Sequence, residues 1–113
     1  MPGWKDVRAL ALELPEAREE PGPEATFFSV RTRWFAVRSR YEDNALVVRV
    51  DLDERQLLIA TNPRAYLLPP RFERHGYLVV RLDEVTLDEL QERLLDSWLL
   101  AAPKRLAATL EPD

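Results

Sequence analysis

The chain has 113 residues, of which 46% are hydrophobic and 32% charged, with a net charge of −4 and no cysteine. This balance fits one globular domain, and the missing cysteines exclude disulfides, thiolate catalysis and cysteine-ligated metal sites. No apolar run approaches the roughly 18 residues that a membrane-spanning helix needs, and the opening MPGWKDVRAL contains no apolar signal-peptide core. We therefore expect a cytoplasmic protein without a membrane partner, one domain over residues 1–113, and a monomer in preference to an oligomer.

The net charge hides a segregation along the chain. Residues 1–30 sum to −3, residues 31–81 to +4 and residues 82–113 to −5, so a basic middle lies between two acidic ends. Fourteen of the sixteen basic residues are arginine, whose planar fork suits phosphate and carboxylate better than lysine does. GC-rich codon usage is the simpler explanation of the arginine excess, so composition alone does not identify a ligand.

The first elements are a helix and a loop. Apolar residues at every third or fourth position predict a helix over residues 3–14, and Pro15 ends it because proline cannot continue the backbone ladder. Residues 16–24, EAREEPGPE, predict a solvated acidic loop. The alternative is a metal site with Glu19, Glu20 and Glu24 as its ligands. The absence of a histidine near this loop makes the solvated loop the preferred interpretation.

Three runs rich in Phe, Trp, Val and Leu predict strands over residues 26–31, 34–39 and 45–51, joined as an antiparallel meander. Alternation of side chains places an apolar set against the helices: Phe28, Val30, Phe35, Val37, Leu46, Val48 and Val50. The other face combines arginines with aromatics, which is unusual for a purely solvated surface: Phe27, Ser29, Arg31, Trp34, Ala36, Arg38, Val47 and Arg49.

The second half predicts a helix, two strands and a helix. Residues 52–61 read as a short helix with Leu57 and Leu58 inward, and residues 77–83 as a strand. A short edge strand interrupted by prolines lies within residues 65–75. A capping box begins a last helix with Leu90, Leu94 and Trp98 on its apolar side, and residues 104–110 extend it. The order α-β-β-β-α-β-β-α predicts a two-layer α+β fold: a single, five-stranded antiparallel sheet covered by helices on one face.

Few residues suit catalysis. His75 is the only histidine, and a solvated or capping role is favoured over that of a general base, which also needs suitable neighbours. Ser97 lies in a leucine-rich helix, where it is expected to pack or to hydrogen-bond the backbone. The three glycines form no phosphate loop. We therefore predict that the protein is not an enzyme and uses no cofactor and no metal.

Several short motifs occur in a fixed order. They are W-x-x-V-x-x-L-A-L-x-L-P at residues 4–15, F-x-V-x-x-[KR]-x-F-A at 28–36, a basic residue before Val-Asp at 49–51, His-Gly-aromatic at 75–77, and Ser-aromatic at 97–98 followed by Pro-Lys at 103–104. In this order and spacing, the chain resembles the MmcQ/YjbR-like family of small bacterial proteins over nearly its whole length.

The chain departs from the family pattern at a few of these positions. Arg33 and Arg49 stand where the family often has lysine, Tyr77 where tryptophan is usual, and Trp98 where tyrosine is frequent. These exchanges keep the character of the residue. The turn before the second strand also lacks the usual glycine.

The resemblance implies a fold similar to secretion chaperones and, through a double-wing arrangement, binding to DNA. We thus predict a non-enzymatic DNA-binding protein that uses an arginine and aromatic surface of the sheet. The alternative is a protein- or peptide-binding adaptor module that uses the same face. A bulge would split the surface, since a one-residue slip moves each side chain to the opposite face. The predicted binding residues are Arg31, Arg33, Trp34, Arg38, Arg49, Tyr77 and Arg81.

Overall fold

The computed structural model describes residues 2–23, 25–40 and 42–110. The helices are α1 (Trp4–Leu12), α2 (Leu52–Thr61), α3 (Leu87–Ala101) and α4 (Lys104–Ala107). The strands are β1 (Ala17–Glu20), β2 (Phe27–Val30), β3 (Arg33–Arg38), β4 (Ala45–Arg49), β5 (Tyr66–Leu67) and β6 (Tyr77–Arg81). The strands form one sheet in the order β1-β2-β3-β4-β6-β5, and every neighbouring pair is antiparallel. The predicted single antiparallel sheet of an α+β fold is confirmed.

The sheet has a sixth strand that the sequence did not predict. β1 lies in the segment predicted as a solvated acidic loop and pairs with β2 at one edge of the sheet. Its carboxylates have partners on other elements, because Arg8 of α1 lies 2.7 Å from Glu19 and the Ser29 hydroxyl donates to Glu20 at 2.7 Å. A local reading of charge and proline could not reveal these partners, and so the prediction of a loop was wrong.

The helix face of the sheet is the face that α1 and α3 cover. Trp98 of α3 is fully buried there, and its indole N–H donates to the Pro15 carbonyl at 3.1 Å, which ties α3 to the segment after α1. Leu90 and Leu94 face the same core, as predicted. The strands contribute Phe28, Val30, Phe35, Ala36, Leu46, Val48, Leu78 and Val80. In the described part of the chain, no helix combines the length and apolar character that crossing a bilayer requires.

An extra residue in β3 changes which face its later side chains occupy. Phe28 pairs with Ala36, but the next residue, Ser29, pairs with Trp34, so Phe35 has no opposite residue in β2. Phe35 and Ala36 both join the helix-face core as a result. The prediction that Ala36 lies on the other face was therefore wrong.

Two more residues after the bulge lie opposite to their predicted faces. Val37 pairs with Val47 and packs on the open face, which is the face away from α1 and α3. Arg38 pairs with Leu46 of the core, and its guanidinium carbon lies 5.2 Å from the ring centroid of Trp4 in α1. The Arg38 guanidinium therefore packs on α1, because strict alternation does not continue through a bulge, while the residue still borders the open face near Trp34 and Tyr77.

Ser97 of α3 fills the gap that the bulge leaves between β3 and β4. Its hydroxyl donates to the Phe35 carbonyl at 2.5 Å and accepts from the backbone N–H of Arg49 at 2.8 Å. The Ser97 side chain is fully buried, so no water molecule reaches these two backbone groups to take the place of its hydroxyl. The prediction of a backbone-bonding serine is confirmed, and α3 thereby fixes the position of Arg49.

Candidate nucleic-acid interface

An arginine packed against two aromatic rings occupies the centre of the open face. The guanidinium carbon of Arg49 lies 4.4 Å from the ring centroid of Trp34 and 5.9 Å from that of Tyr77. The two rings lie 5.0 Å apart, and Arg49 Nε donates to the Trp34 carbonyl at 2.6 Å. Antiparallel pairing sets Arg49 opposite Tyr77, while Trp34 precedes the bulge and keeps its predicted face. Three of the predicted residues are thus brought together.

The turn between β5 and β6 adds two more rings to this group. The Phe72 ring meets Tyr77 edge-on, with centroids 5.5 Å apart and planes at 86°. The His75 ring stacks on Tyr77 at 5.4 Å with planes at 13°. We call these five residues the arginine–aromatic cluster: Trp34, Arg49, Phe72, His75 and Tyr77. Sequence reasoning missed Phe72, since its contact depends on how the turn folds back over the sheet.

A buried arginine of α2 holds this turn in place. Arg55 is only 4% exposed, and its guanidinium donates to the carbonyls of Phe72, Glu73, His75 and Tyr77 at 2.5–3.2 Å. The Phe72 and His75 carbonyls also accept backbone N–H groups, from His75 at 3.0 Å and from Tyr77 at 2.8 Å, and the guanidinium adds a donor to each of the four carbonyls. Arg55 is therefore a positioning residue for the cluster.

The burial of Arg55 also corrects the predicted orientation of α2. Leu57, predicted to face inward, is 67% exposed, whereas Leu58 packs against the core as expected. The apolar pattern of the helix could not reveal that the buried position belongs to an arginine, because the carbonyls that it binds lie about 20 residues further along the chain.

The cluster carries positive charge that nearby carboxylates do not neutralise. Burial, together with the charge of the neighbouring Arg33, lowers the pKa of the Arg49 guanidinium. It remains a cation at neutral pH, since an arginine starts far above that range. Arg33 is exposed and makes no ion pair with any carboxylate that the structure describes. Two cations that repel each other favour an anion that neutralises both.

The rings border a shallow cavity of about 230 Å³, which we call the central cavity. Val37 and Val47 lie among its lining residues, Trp34, Phe72 and Tyr77 supply rings, and no lining residue is acidic. Arg71, on the turn, is exposed and makes no ion pair with a described carboxylate. The full lining is Trp34, Val37, Arg38, Arg40, Val47, Arg71, Phe72 and Tyr77.

Two predicted binding residues are engaged in ion pairs instead. Arg31 Nε lies 2.5 Å from a carboxylate oxygen of Glu16, and Arg81 donates two N–H groups to the Glu42 carboxylate at 2.5 and 2.6 Å. Through these hydrogen bonds, Arg31 and Arg81 hold the pKa of Glu16 and Glu42 below the usual range. Neither arginine offers unbalanced charge. Of the predicted set, Arg33, Trp34, Arg49 and Tyr77 stay close together. Arg31 and Arg81 are held in ion pairs, and Arg38 borders the central cavity while its guanidinium packs on Trp4.

The described residues show no arrangement suited to holding a metal. Within residues 2–23, 25–40 and 42–110, no group of three or more His, Asp and Glu side chains converges on one point. Glu19 and Glu20 are bound to Arg8 and Ser29, and Glu24, the third residue of the alternative metal set, lies outside the described residues.

The fold is that of a small α+β domain built on one antiparallel sheet with its helices on one side. The crystal structure of Deinococcus radiodurans protein DR2400, a DUF419 domain, has a similar fold, with a TM-score of 0.77 and 26% identity. The superposition covers 93% of this chain and 82% of that one. Residues 12–100 match the YjbR family, and the chain belongs to it. The resemblance noted in the sequence is thus confirmed.

Two mycobacterial proteins share part of the sequence. The uncharacterized proteins Mb2600 of Mycobacterium bovis and Rv2570 of Mycobacterium tuberculosis are each 39% identical to this chain over 49 residues. The matched segment is 43% of this chain and 38% of each relative, so the chain covers less than half of their length. Their names state no function.

Proposed function

We propose that this protein binds nucleic acid, without catalysis, through the arginine–aromatic cluster and the arginines beside it. The observation that supports this most is the pairing of unbalanced charge with partly exposed rings, in which Arg33 and Arg49 repel each other beside Trp34 and Tyr77. Arginine forks bind phosphate through two parallel hydrogen bonds, and bases stack on aromatic faces. Nucleic acid offers both groups in one molecule.

The negative net charge is compatible with this proposal because most of the acidic residues lie elsewhere. Eight of the twenty acidic residues belong to residues 82–113, and four of these lie on α3, which covers the other face of the sheet. Glu16 and Glu42 are occupied by Arg31 and Arg81. The open face can therefore attract an anion although the whole chain carries −4.

A titration at several salt concentrations tests the proposal. Fluorescence anisotropy of labelled DNA should show affinity that falls by about 0.9 log units per log unit of salt for each phosphate contacted. Arg33→Gln and Arg71→Gln should each weaken binding and reduce that slope by about 1, because each removes one phosphate partner. Arg105→Gln is the matched control, since Arg105 is exposed on α4, whose Ala107 packs in the helix-face core.

The outcomes of this titration separate the two functions considered. An absence of binding at about 50 mM salt, where phosphate contacts are strong, would rule the proposal out. Equal effects of Arg105→Gln and Arg33→Gln would show that the cluster is not the site. The protein-docking alternative would then move ahead, which a partly exposed apolar row beside the cluster favours: Phe27, Val37 and Leu67, with Val47 between them.

A further inference from the structure

We propose that the ligand is a single-stranded nucleic acid and that one of its unpaired bases occupies the central cavity. This inference rests on the proposed function and specifies the strand type that the site selects. The cavity distinguishes an unpaired base from a paired one, because a base inside a duplex has both faces covered by its neighbours and cannot present one to a protein ring.

The size of the central cavity sets the size of the group that fits. Its volume of about 230 Å³ lies below the roughly 300–1,000 Å³ typical of pockets that enclose a whole drug-sized ligand. It therefore suits one flat ring system rather than a complete dinucleotide. The valines at positions 37 and 47 offer an apolar surface, and Trp34, Phe72 and Tyr77 offer ring faces and edges.

A second depression, the side cavity, adjoins the central cavity and gives the strand a path along the open face. This side cavity has a volume of about 180 Å³ and includes Phe27 in its lining. The two cavities share Val37, Arg38 and Arg40 in their linings, so they lie side by side. The arrangement accommodates two consecutive bases of a single strand, one in each cavity.

Electrostatic attraction alone would give no preference for the single strand over the duplex. A duplex carries more charge per unit length than a single strand, so a merely basic face binds a duplex at least as well. A preference for the single strand therefore requires contacts with the bases. Stacking of one base on an aromatic side chain contributes enough to favour the single strand by roughly 5- to 150-fold.

The test compares labelled oligothymidylate, oligouridylate and a thymidylate–adenylate duplex of equal length in anisotropy titrations at about 50 mM salt. We expect both single strands to bind more tightly than the duplex. The difference in affinity between oligothymidylate and oligouridylate shows whether the site prefers DNA or RNA. Binding should also quench the emission of Trp34. Trp98 is fully buried, and Trp4 lies against the core on the helix face, so both give a constant background.

Two variants locate the base in the central cavity. Val47→Phe fills it and should remove the single-strand preference while duplex binding through phosphate is unchanged. Phe72→Ala removes one ring from a surface turn and serves if Val47→Phe does not fold, with the same expected loss of several-fold in single-strand affinity. Trp34→Phe keeps a ring, and should keep most of the affinity while it abolishes the quenching.

Each outcome decides a different claim. Salt-dependent binding with equal affinity for duplex and single strand overturns the base-binding inference and leaves the proposed function intact. A single-strand preference that persists in both Val47→Phe and Phe72→Ala overturns the assignment to the central cavity. A lack of binding to all three oligonucleotides overturns the inference together with the proposed function.

Discussion

Replacing Trp98 with alanine should lower the free energy of unfolding by about 3–5 kcal/mol, the largest effect expected from a single substitution in this chain. The ring is fully buried between α3 and the sheet, and its N–H is the donor to the Pro15 carbonyl. Alanine would leave a cavity and would remove the donor to the partly buried Pro15 carbonyl. Denaturant titration of both proteins measures the difference.

The control for this substitution is Trp34→Ala, which removes the same side chain from a partly exposed position on the open face. It should cost about half as much or less, because much of the space refills with water. A loss below about 1 kcal/mol for Trp98→Ala would show that the ring does not anchor the core.

Replacing Arg55 with methionine should cost roughly 2–4 kcal/mol and also weaken ligand binding. Methionine fills similar volume but removes the guanidinium donor from the carbonyls of Phe72, Glu73, His75 and Tyr77, of which those of Phe72 and His75 keep a backbone N–H donor. Hydrogen exchange of the amides between residues 70 and 78 should accelerate more than exchange in α3, since the turn loses its support.

Arg55→Lys is the informative companion variant. A lysine keeps the charge, but its single ammonium cannot take the places of both terminal guanidinium nitrogens, of which one donates to Phe72, His75 and Tyr77 and the other to Glu73. We therefore expect a stability between those of Arg55→Met and the native protein. Native stability and native exchange rates in Arg55→Lys would contradict the view that fork geometry holds the turn.

Periodicity of apolar residues predicted the helices and strands in which those residues recur at a regular spacing. The alternation over Tyr77–Arg81 and the helical period of α3 gave the correct faces, because each has a regular pattern with a clear apolar side. Strand β1 escaped prediction since its stability depends on pairing with β2 and on the partners of its glutamates.

The candidate site was only partly predictable for a related reason. Trp34, Arg49 and Tyr77 meet as expected, but the bulge at Phe35 moved Arg38 to the helix face. The sequence around β3 has no glycine or proline to mark a bulge, so its position depends on how α3 packs against the sheet. Ser97 shows this dependence, because its hydroxyl fills the gap from a distant element.

Ion pairs decide which arginines remain available, and they too depend on the folded structure. Arg31 and Arg81 lie at opposite ends of the predicted set, and each meets a glutamate from another segment. Arg33 meets none among the described carboxylates. A basic stretch in a sequence gives the total charge, whereas the fold determines where that charge is left unbalanced.

The most direct measurement of the central claim is NMR mapping of the labelled protein titrated with a short oligothymidylate. We predict that the Trp34 indole, the Arg49 Nε–H and the backbone amides of β3, β4 and β6 shift together and saturate at one ligand concentration. Residues of α3 and α4 should stay unchanged. Shifts confined to those helices, or none at all at low salt, would contradict the assignment of nucleic-acid binding to the arginine–aromatic cluster.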